Sequence, residues 1–168
     1  MSNEQAEFAE FFQASWEPCL RAVVTVVGSP SRAEDQVAEA FARAWASWRK
    51  VSRHPAPQAW VVRTALNTGA SWWRRSGREL PLADHDLMAS GGPSPSVGGL
   101  DSTLLTALWS LPVRQREVIA LRIFLDLDTG TIATQLGIEA GTVRVHLSRG
   151  VAALRRELTP APTTEAEQ

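Results

Sequence analysis

The stretch TGTIATQLGIEAGTVRVHLSR, residues 129–149, decides the fold of the second half of the chain. Ile132 and Leu136 are four residues apart, which places them on one face of a short helix. Gly137 follows where a turn needs a positive φ, and Ile138 can fill the corner between this helix and the next. The pattern predicts a helix-turn-helix whose two helices span residues 129–136 and 141–158.

The second of these helices has two distinct faces. Steps of four, four, three and four residues give its inner stripe, which is Val143, Leu147, Val151, Leu154 and Leu158. The outer face carries Arg144, Val145, Ser148 and Arg149 near the N-terminal end, the part that enters the major groove in a helix-turn-helix. An ordinary helical hairpin with a basic outer face is the alternative, but the spacing of small and apolar residues favours DNA binding.

Charge is distributed in blocks, although the formal net charge is only −1. Residues 1–48 carry three basic and seven acidic groups, whereas residues 49–78 carry seven basic groups and no acid. This basic block also contains Trp60, Trp72 and Trp73, whose rings can stack on bases. A solvated basic face paired with the acidic segment is the simpler reading, but the combination of charge and aromatic rings indicates a nucleic-acid surface.

Hydrophobic periodicity predicts an all-α protein with two small helical domains joined by a flexible linker. In the first domain we expect helices over 4–27, over 31–50 with Ser31 as N-cap, and over 57–75. Residues 79–99 are rich in Pro, Gly and Ser and read as the linker. The second domain, which contains the helix-turn-helix, should begin with helices over 100–110 and 112–125. The predicted divisions are 1–78, 79–99, 100–158 and a disordered tail at 159–168.

Several function classes are excluded by composition. The single cysteine, Cys19, rules out an internal disulfide and a multi-cysteine zinc site, and it reads as a buried small residue. The longest apolar runs are far too short to cross a bilayer, and the acidic N-terminus lacks the layout of a signal peptide. No catalytic constellation, phosphate loop or metal-ligand spacing occurs. We therefore expect a cytoplasmic protein with no membrane insertion, no enzymatic activity, no cofactor and no metal.

Four segments together resemble bacterial sigma factors of the extracytoplasmic-function (ECF) group, which belong to the sigma-70 family. In region two, RAEDQVAEAFARAW (32–45) and AWVVRTALNTGASWWRRSGR (59–78) resemble the family patterns DAEDLVQExFLRxW and xWLxxIARNxxxDxxRRxxR. In region four, LWSLPVRQREVIALRIF (108–124) and the segment 131–158 resemble LPxxxREVxxLR and EIAxxLGxxxGTVxSRLxRAxxxLRxxL. The resemblance implies a subunit that directs core RNA polymerase to promoters and assists strand opening.

The resemblance also implies three binding surfaces. Asp35 and Glu39, with Arg43, would contact the clamp helices of the polymerase beta-prime subunit, while Phe41 and Trp45 are expected to pack in the core. The minus-ten element would meet the loop 49–57 and the side chains of Arg63, Asn67, Trp73, Arg74, Arg75 and Arg78. The minus-thirty-five element would meet Arg144, Val145, Ser148 and Arg149. An anti-sigma factor is a further partner that such a protein can have.

Some residues depart from the family patterns. Ala38 stands where the family usually has Gln, Ser71 where it has Asp, and Thr131 where it has Glu. Val145 and His146 replace the usual Ser and Arg on the second helix of the motif. A stand-alone helix-turn-helix regulator is the alternative function, but such a regulator does not need the basic, tryptophan-containing block. Nothing in the sequence favours an enzyme or a sensor of small ligands.

Overall fold

The computed structural model describes residues 2–76 and 99–160, with side chains for 2–70 and 99–160. The first helix, α1 (Asn3–Val27), begins with a capping box. The backbone N–H of Ser2 donates to Gln5 Oε1 at 2.8 Å, and the Gln5 N–H donates back to Ser2 Oγ. The helix ends at Gly28, whose φ of 78° is left-handed and favours glycine.

The second helix differs from the prediction at both ends. Helix α2 (Pro30–Ala46) is capped by Ser29 rather than Ser31, because Pro30 is preorganised for the first helical position. It ends at Ala46 instead of continuing to Lys50, and a separate short helix, α3 (Trp48–Val51), follows Ser47. Neither glycine nor proline marks this break, which explains why the helical periodicity concealed it.

Helix α4 (Pro57–Ser76) packs along α2 and α1 to complete the first half. Ala59, Val61, Val62 and Ala65 are buried. The last three share one hydrophobic cluster with Val37, Ala40 and Ala44 of α2. Small side chains on both helices permit a close approach. At Gly69 an added Cβ would lie 2.3 Å from the amide nitrogen of Gln36, so glycine leaves room for that side chain.

The second half begins with α5 (Ser102–Trp109), which Asp101 caps by accepting the Leu104 N–H at 2.8 Å. Helix α6 (Val113–Ile119) follows and continues as a π-helical segment at Ala120–Phe124. The helix-turn-helix consists of α7 (Thr129–Leu136) and α8 (Ala140–Leu158). The predicted turn is confirmed, since Gly137 has a φ of 65° and Ile138 packs against the core.

Helix α1 connects the two halves, because it packs against α2 and α4 on one side and against α5, α6 and the π-helical segment on the other. One hydrophobic cluster therefore runs from Val23 and Val37 through to Ile132 and Val143. The indole N–H of Trp109 donates to the Val24 carbonyl across this contact at 3.0 Å. The protein is all-α, with two helical regions. The predicted linker lies outside the described residues except for Gly99, as does the tail beyond Pro160.

Candidate nucleic-acid interface

The outward face of α8 brings together the four residues that the sequence predicts to read DNA. Arg144, Val145, Ser148 and Arg149 are all exposed. On the opposite face Val143 and Gly150 are buried, so the helix has a clear inner and outer side. The predicted inner stripe is wrong at its end, because Leu158 is 42% exposed in the last turn of the helix. There the described part of the chain covers the side chain only in part.

Local geometry holds α8 in place. An added Cβ at Gly150 would come within 2.7 Å of Ile119 Cδ1, so glycine allows α8 to cross α6 closely.

At the start of α7, Asp128 Oδ1 accepts the Thr131 N–H at 2.7 Å. This hydrogen bond, more than any other influence, holds the pKa of Asp128 below its usual range. The donor is the backbone N–H of Thr131, so the cap depends on Asp128 and not on the side chain at position 131.

A second exposed face lies on α4, within the basic block of residues 49–78. Arg63 and Asn67 are exposed and four residues apart, so they lie on one side of the helix. The short turn before α4 adds Arg53, which is also exposed. The side chains of Trp73, Arg74 and Arg75 lie outside the described residues, as does the whole of Arg78.

The charges of this basic block are largely uncompensated in the described part of the chain. Arg49 donates to Glu4 Oε1 at 2.7 Å, which ties α3 to the start of α1. No carboxylate among residues 2–70 and 99–160 forms an ion pair with Lys50, Arg53 or Arg63. The alternative reading, in which the acidic N-terminal segment pairs with the block, therefore describes only one of these four cations. The other three remain available to a polyanion.

Helix α2 carries the predicted polymerase-contacting residues on its solvent side. Asp35, Glu39 and Arg43 are exposed and follow one another at intervals of four. The guanidinium of Arg43 donates to Glu39 Oε1 at 2.9 Å, and both side chains are about half exposed. This pair orients the Glu39 carboxylate and leaves Asp35 as the less compensated of the two acids.

An aromatic ridge lies next to this acidic face, and sequence reasoning missed part of it. Phe41 is 2% exposed and packs in the core as predicted. Trp45 is 43% exposed, so the expectation that it is a core residue is wrong in part. Its ring packs against Phe8 with centroids 5.1 Å apart, and Phe12, 38% exposed, extends the ridge along α1. Helical spacing alone does not distinguish the edge of an apolar face from its centre, which is why Trp45 was misplaced.

Cys19, the single cysteine of the chain, is fully buried in the core. Burial raises the pKa of the Cys19 thiol to about 12, so the thiolate is disfavoured. Among the described side chains, no three His, Cys, Asp or Glu residues gather as a metal site would require. Across residues 2–76 and 99–160, no helix has both the length and the apolar character needed to cross a membrane.

A helix-turn-helix with an exposed, arginine-bearing second helix, together with an uncompensated basic block, defines a helical DNA-binding protein. Comparison with protein families is more specific. The profile for "Sigma-70 region 2" matches residues 14–79, and the profile for "Sigma-70, region 4" matches residues 102–154. The two matches therefore cover both described halves of the chain.

Individual relatives agree with the family profiles. The chain is 32% identical to the RNA polymerase sigma-E factor of Streptomyces coelicolor, over 93% of this chain and 88% of that protein. It is also 32% identical to the ECF RNA polymerase sigma factor SigL of Mycobacterium tuberculosis, over 92% and 88% of the two chains. Among solved structures, the sigma factor RpoE of Bartonella quintana, crystallised with the anti-sigma factor NepR, matches with a TM-score of 0.70. The match has 25% identity and covers 90% of this chain and 96% of that one.

The chain belongs to the extracytoplasmic-function group of RNA polymerase sigma factors. Its function is therefore to direct core polymerase to promoters and to assist in opening the DNA for initiation. The comparisons do not favour the alternative of a stand-alone regulator.

Proposed function

We propose that three separate surfaces of this chain perform the steps of promoter-directed initiation. Asp35, Glu39 and Arg43 of α2 dock on the clamp helices of core polymerase. Arg63 and Asn67 of α4, with the basic positions that follow them, contact the minus-ten element. The outward face of α8 binds the minus-thirty-five element. The division of the chain at 1–78, 79–99 and 100–158 follows from this assignment.

The observation that supports this proposal best is the separation of exposed charge by sign. The solvent side of α2 carries Asp35, Glu39 and Arg43, a net negative charge, whereas the exposed sides of α4 and α8 carry arginines without carboxylate partners among the described residues. A polyanion is attracted to the two basic surfaces and repelled by the acidic one. Protein and DNA partners can therefore bind at the same time without competing for one face.

The proposal also covers partners and place of action. The protein carries no chemistry of its own and acts inside the cell, where core polymerase catalyses the synthesis of RNA. An anti-sigma factor is a further proposed partner, because the solved relative was crystallised with one.

Charge reversal on α2 tests the polymerase surface. Asp35→Lys with Glu39→Lys should abolish core binding, since two charges on the docking face change sign, a net change of four units, and like charges across an interface are strongly unfavourable. Binding is measured by fluorescence polarisation with the core polymerase of the host bacterium. Run-off transcription from a promoter identified by sequencing transcripts after overexpression measures the functional result.

A matched control separates this effect from net charge. Glu10→Lys with Glu17→Lys makes the same change in charge at two exposed positions of α1 and should bind core normally. Circular dichroism should show equal helicity in all three proteins. Undiminished core affinity of the α2 variant would contradict the assignment of this surface.

A further inference from the structure

Val145 occupies an unusual position on the DNA-facing side of α8. At 100° per residue, Arg144 and Arg149 project about 140° apart around the helix axis, and Val145 and Ser148 lie between them. Val145 is 44% exposed, whereas Val143 two residues earlier is fully buried. An apolar side chain therefore stands near the middle of the exposed face, with a basic residue on each side.

Its neighbours along the same stripe are small. Gly141 and Ala152 lie one turn before Val145 and two turns after it, and both are exposed. Nothing lies within 4 Å of the position that a Cβ on Gly141 would occupy, so this part of the face is open. The Val145 side chain can therefore reach a groove floor without obstruction from a longer neighbour.

We propose that Val145 is a specificity residue that recognises thymine in the minus-thirty-five element through contact with its C5-methyl group. This proposal rests on the proposed role of α8 as the reader of that element. It goes beyond that role by naming the base and the atom that are read.

The chemistry of the side chain limits what it can recognise. Valine has no hydrogen-bond donor or acceptor beyond its backbone, so it cannot bind a phosphate or discriminate base edges by polar contacts. The C5-methyl of thymine is the apolar group that the major groove of unmodified DNA presents, and contact with it is a known mode of apolar readout. Burial of Val145 against that methyl removes both from water. Arg144, Ser148 and Arg149 remain for guanine, polar edges and phosphates.

Replacing thymine by deoxyuridine tests the proposal, because this removes the methyl group and keeps every hydrogen-bonding atom. The protein first selects its minus-thirty-five sequence from random duplexes, and each thymine of that sequence is then replaced in turn. For the wild type, deoxyuridine at one or two positions should weaken binding about fourfold, the equilibrium equivalent of one buried methyl group. Val145→Ala should bind the thymine and deoxyuridine duplexes equally at those positions.

Leu158→Ala is the matched control. Leu158 is an exposed apolar residue on the same helix, but it lies at the far end. This variant should retain the full sensitivity to deoxyuridine. Every substitution is at an exposed position, and circular dichroism checks that helicity is unchanged.

Each outcome decides a different point. A wild-type protein that selects a site but tolerates deoxyuridine at every position would overturn the proposal and leave the role of α8 intact. Undiminished sensitivity in Val145→Ala would also overturn it, because the γ-methyl groups of Val145 would then contribute nothing to the contact with thymine. A wild-type protein without any sequence preference would overturn both the proposal and the role of α8.

Discussion

Asn67 and Arg63, two exposed residues of α4, have different chemistry and should act at different steps of promoter binding and opening. Asn67 carries an amide that can donate to and accept from a base edge, whereas the guanidinium of Arg63 is suited to a phosphate. Asn67→Ala should therefore reduce open-complex formation more than closed-complex binding. The expected loss is about 1–3 kcal/mol, the range for one good contact between a side chain and a base. Permanganate footprinting of the melted strand measures it.

Arg63→Ala provides the comparison. This variant should weaken both complexes to a similar extent and flatten the salt dependence by about one unit of slope, because one phosphate contact is lost. Two variants with the same ratio of open to closed complex would show that Asn67 does not distinguish the melted state.

Cys19 gives the stability of the protein a predictable dependence on pH. The folded-state pKa of its thiol, raised to about 12 by burial, lies above the value of ~8.5 in an unfolded chain. Above that value the unfolded state loses the proton while the folded state keeps it, so stability falls as pH rises. Between pH 8 and pH 10 the free energy of unfolding should decrease by roughly 1–2 kcal/mol.

The composition leaves few other groups whose titration could change the stability between pH 8 and pH 10. The chain has no tyrosine, and Lys50 is its one lysine, so few other side chains titrate in this range. Urea unfolding at pH 8, 9 and 10 measures the effect. Cys19→Ala should have a lower stability that stays nearly constant with pH, and a parallel decline in both proteins would assign the effect to other groups.

At the scale of elements, the crossing of α6 and α8 depends on Gly150. An alanine Cβ there would meet Ile119 Cδ1 at 2.7 Å, and Ile119 is 2% exposed, so the core has little space to adjust. Gly150→Ala should lower the free energy of unfolding by about 1–2 kcal/mol, since overpacking outweighs the gain in helix propensity. Thermal and urea unfolding measure the change.

Two further variants test the cause. Gly141→Ala, at an open site in the same helix, should stabilise the protein by about 0.5–1 kcal/mol. Ile119→Val removes Cδ1, so the double variant with Gly150→Ala should be more stable than the sum of the single effects predicts. Strict additivity would show that the contact with Cδ1 is not the source of the strain.

The accuracy of prediction differed between elements for physical reasons. Helix α7 and the left-handed Gly137 were predicted from the sequence because a cap, an apolar pair and a glycine all indicate the same boundaries. The break at Ser47 and the π-helical segment after Ile119 have no such local signal. The exposed positions on α8 followed from periodicity, but the exposure of Trp45 depends on where α1 lies. Such information is tertiary and cannot be obtained from one helix.

At the scale of the whole molecule, the proposed surfaces on α4 and α8 belong to two halves that both pack on α1. A compact chain of 168 residues has a radius of gyration of ~15 Å, whereas the minus-ten and minus-thirty-five elements lie ~85 Å apart on B-form DNA. With α4 and α8 assigned to these two elements as proposed, the packing of α5 and α6 on α1 should be lost while both elements are bound. Residues 77–98 join the two described parts, and a fully extended chain of that length spans at most ~75 Å. This span is the upper limit on the distance between Ser76 and Gly99 when the two halves separate.

We accordingly predict a compact free protein whose halves separate when their contact is weakened. Small-angle X-ray scattering should give a radius of gyration close to the compact value for the wild type and a larger one for Trp109→Ala. That variant loses both the hydrogen bond to Val24 and the packing of the ring. Trp16→Ala removes a half-buried ring within the first half and should leave the radius unchanged. A wild-type protein as extended as Trp109→Ala would contradict this prediction.

The hydrogen bond from Trp109 to Val24 also makes the contact between the halves visible by spectroscopy. The chain has seven indole N–H groups, and the one on Trp109 donates across that contact, whereas the indole nitrogen of Trp48 is buried without a partner among the described residues. In a nitrogen-15 NMR spectrum the Trp109 indole signal should be shifted by its hydrogen bond and protected from exchange with solvent. Separation of the halves would remove both properties together, so that the protein reports its own opening without an attached label.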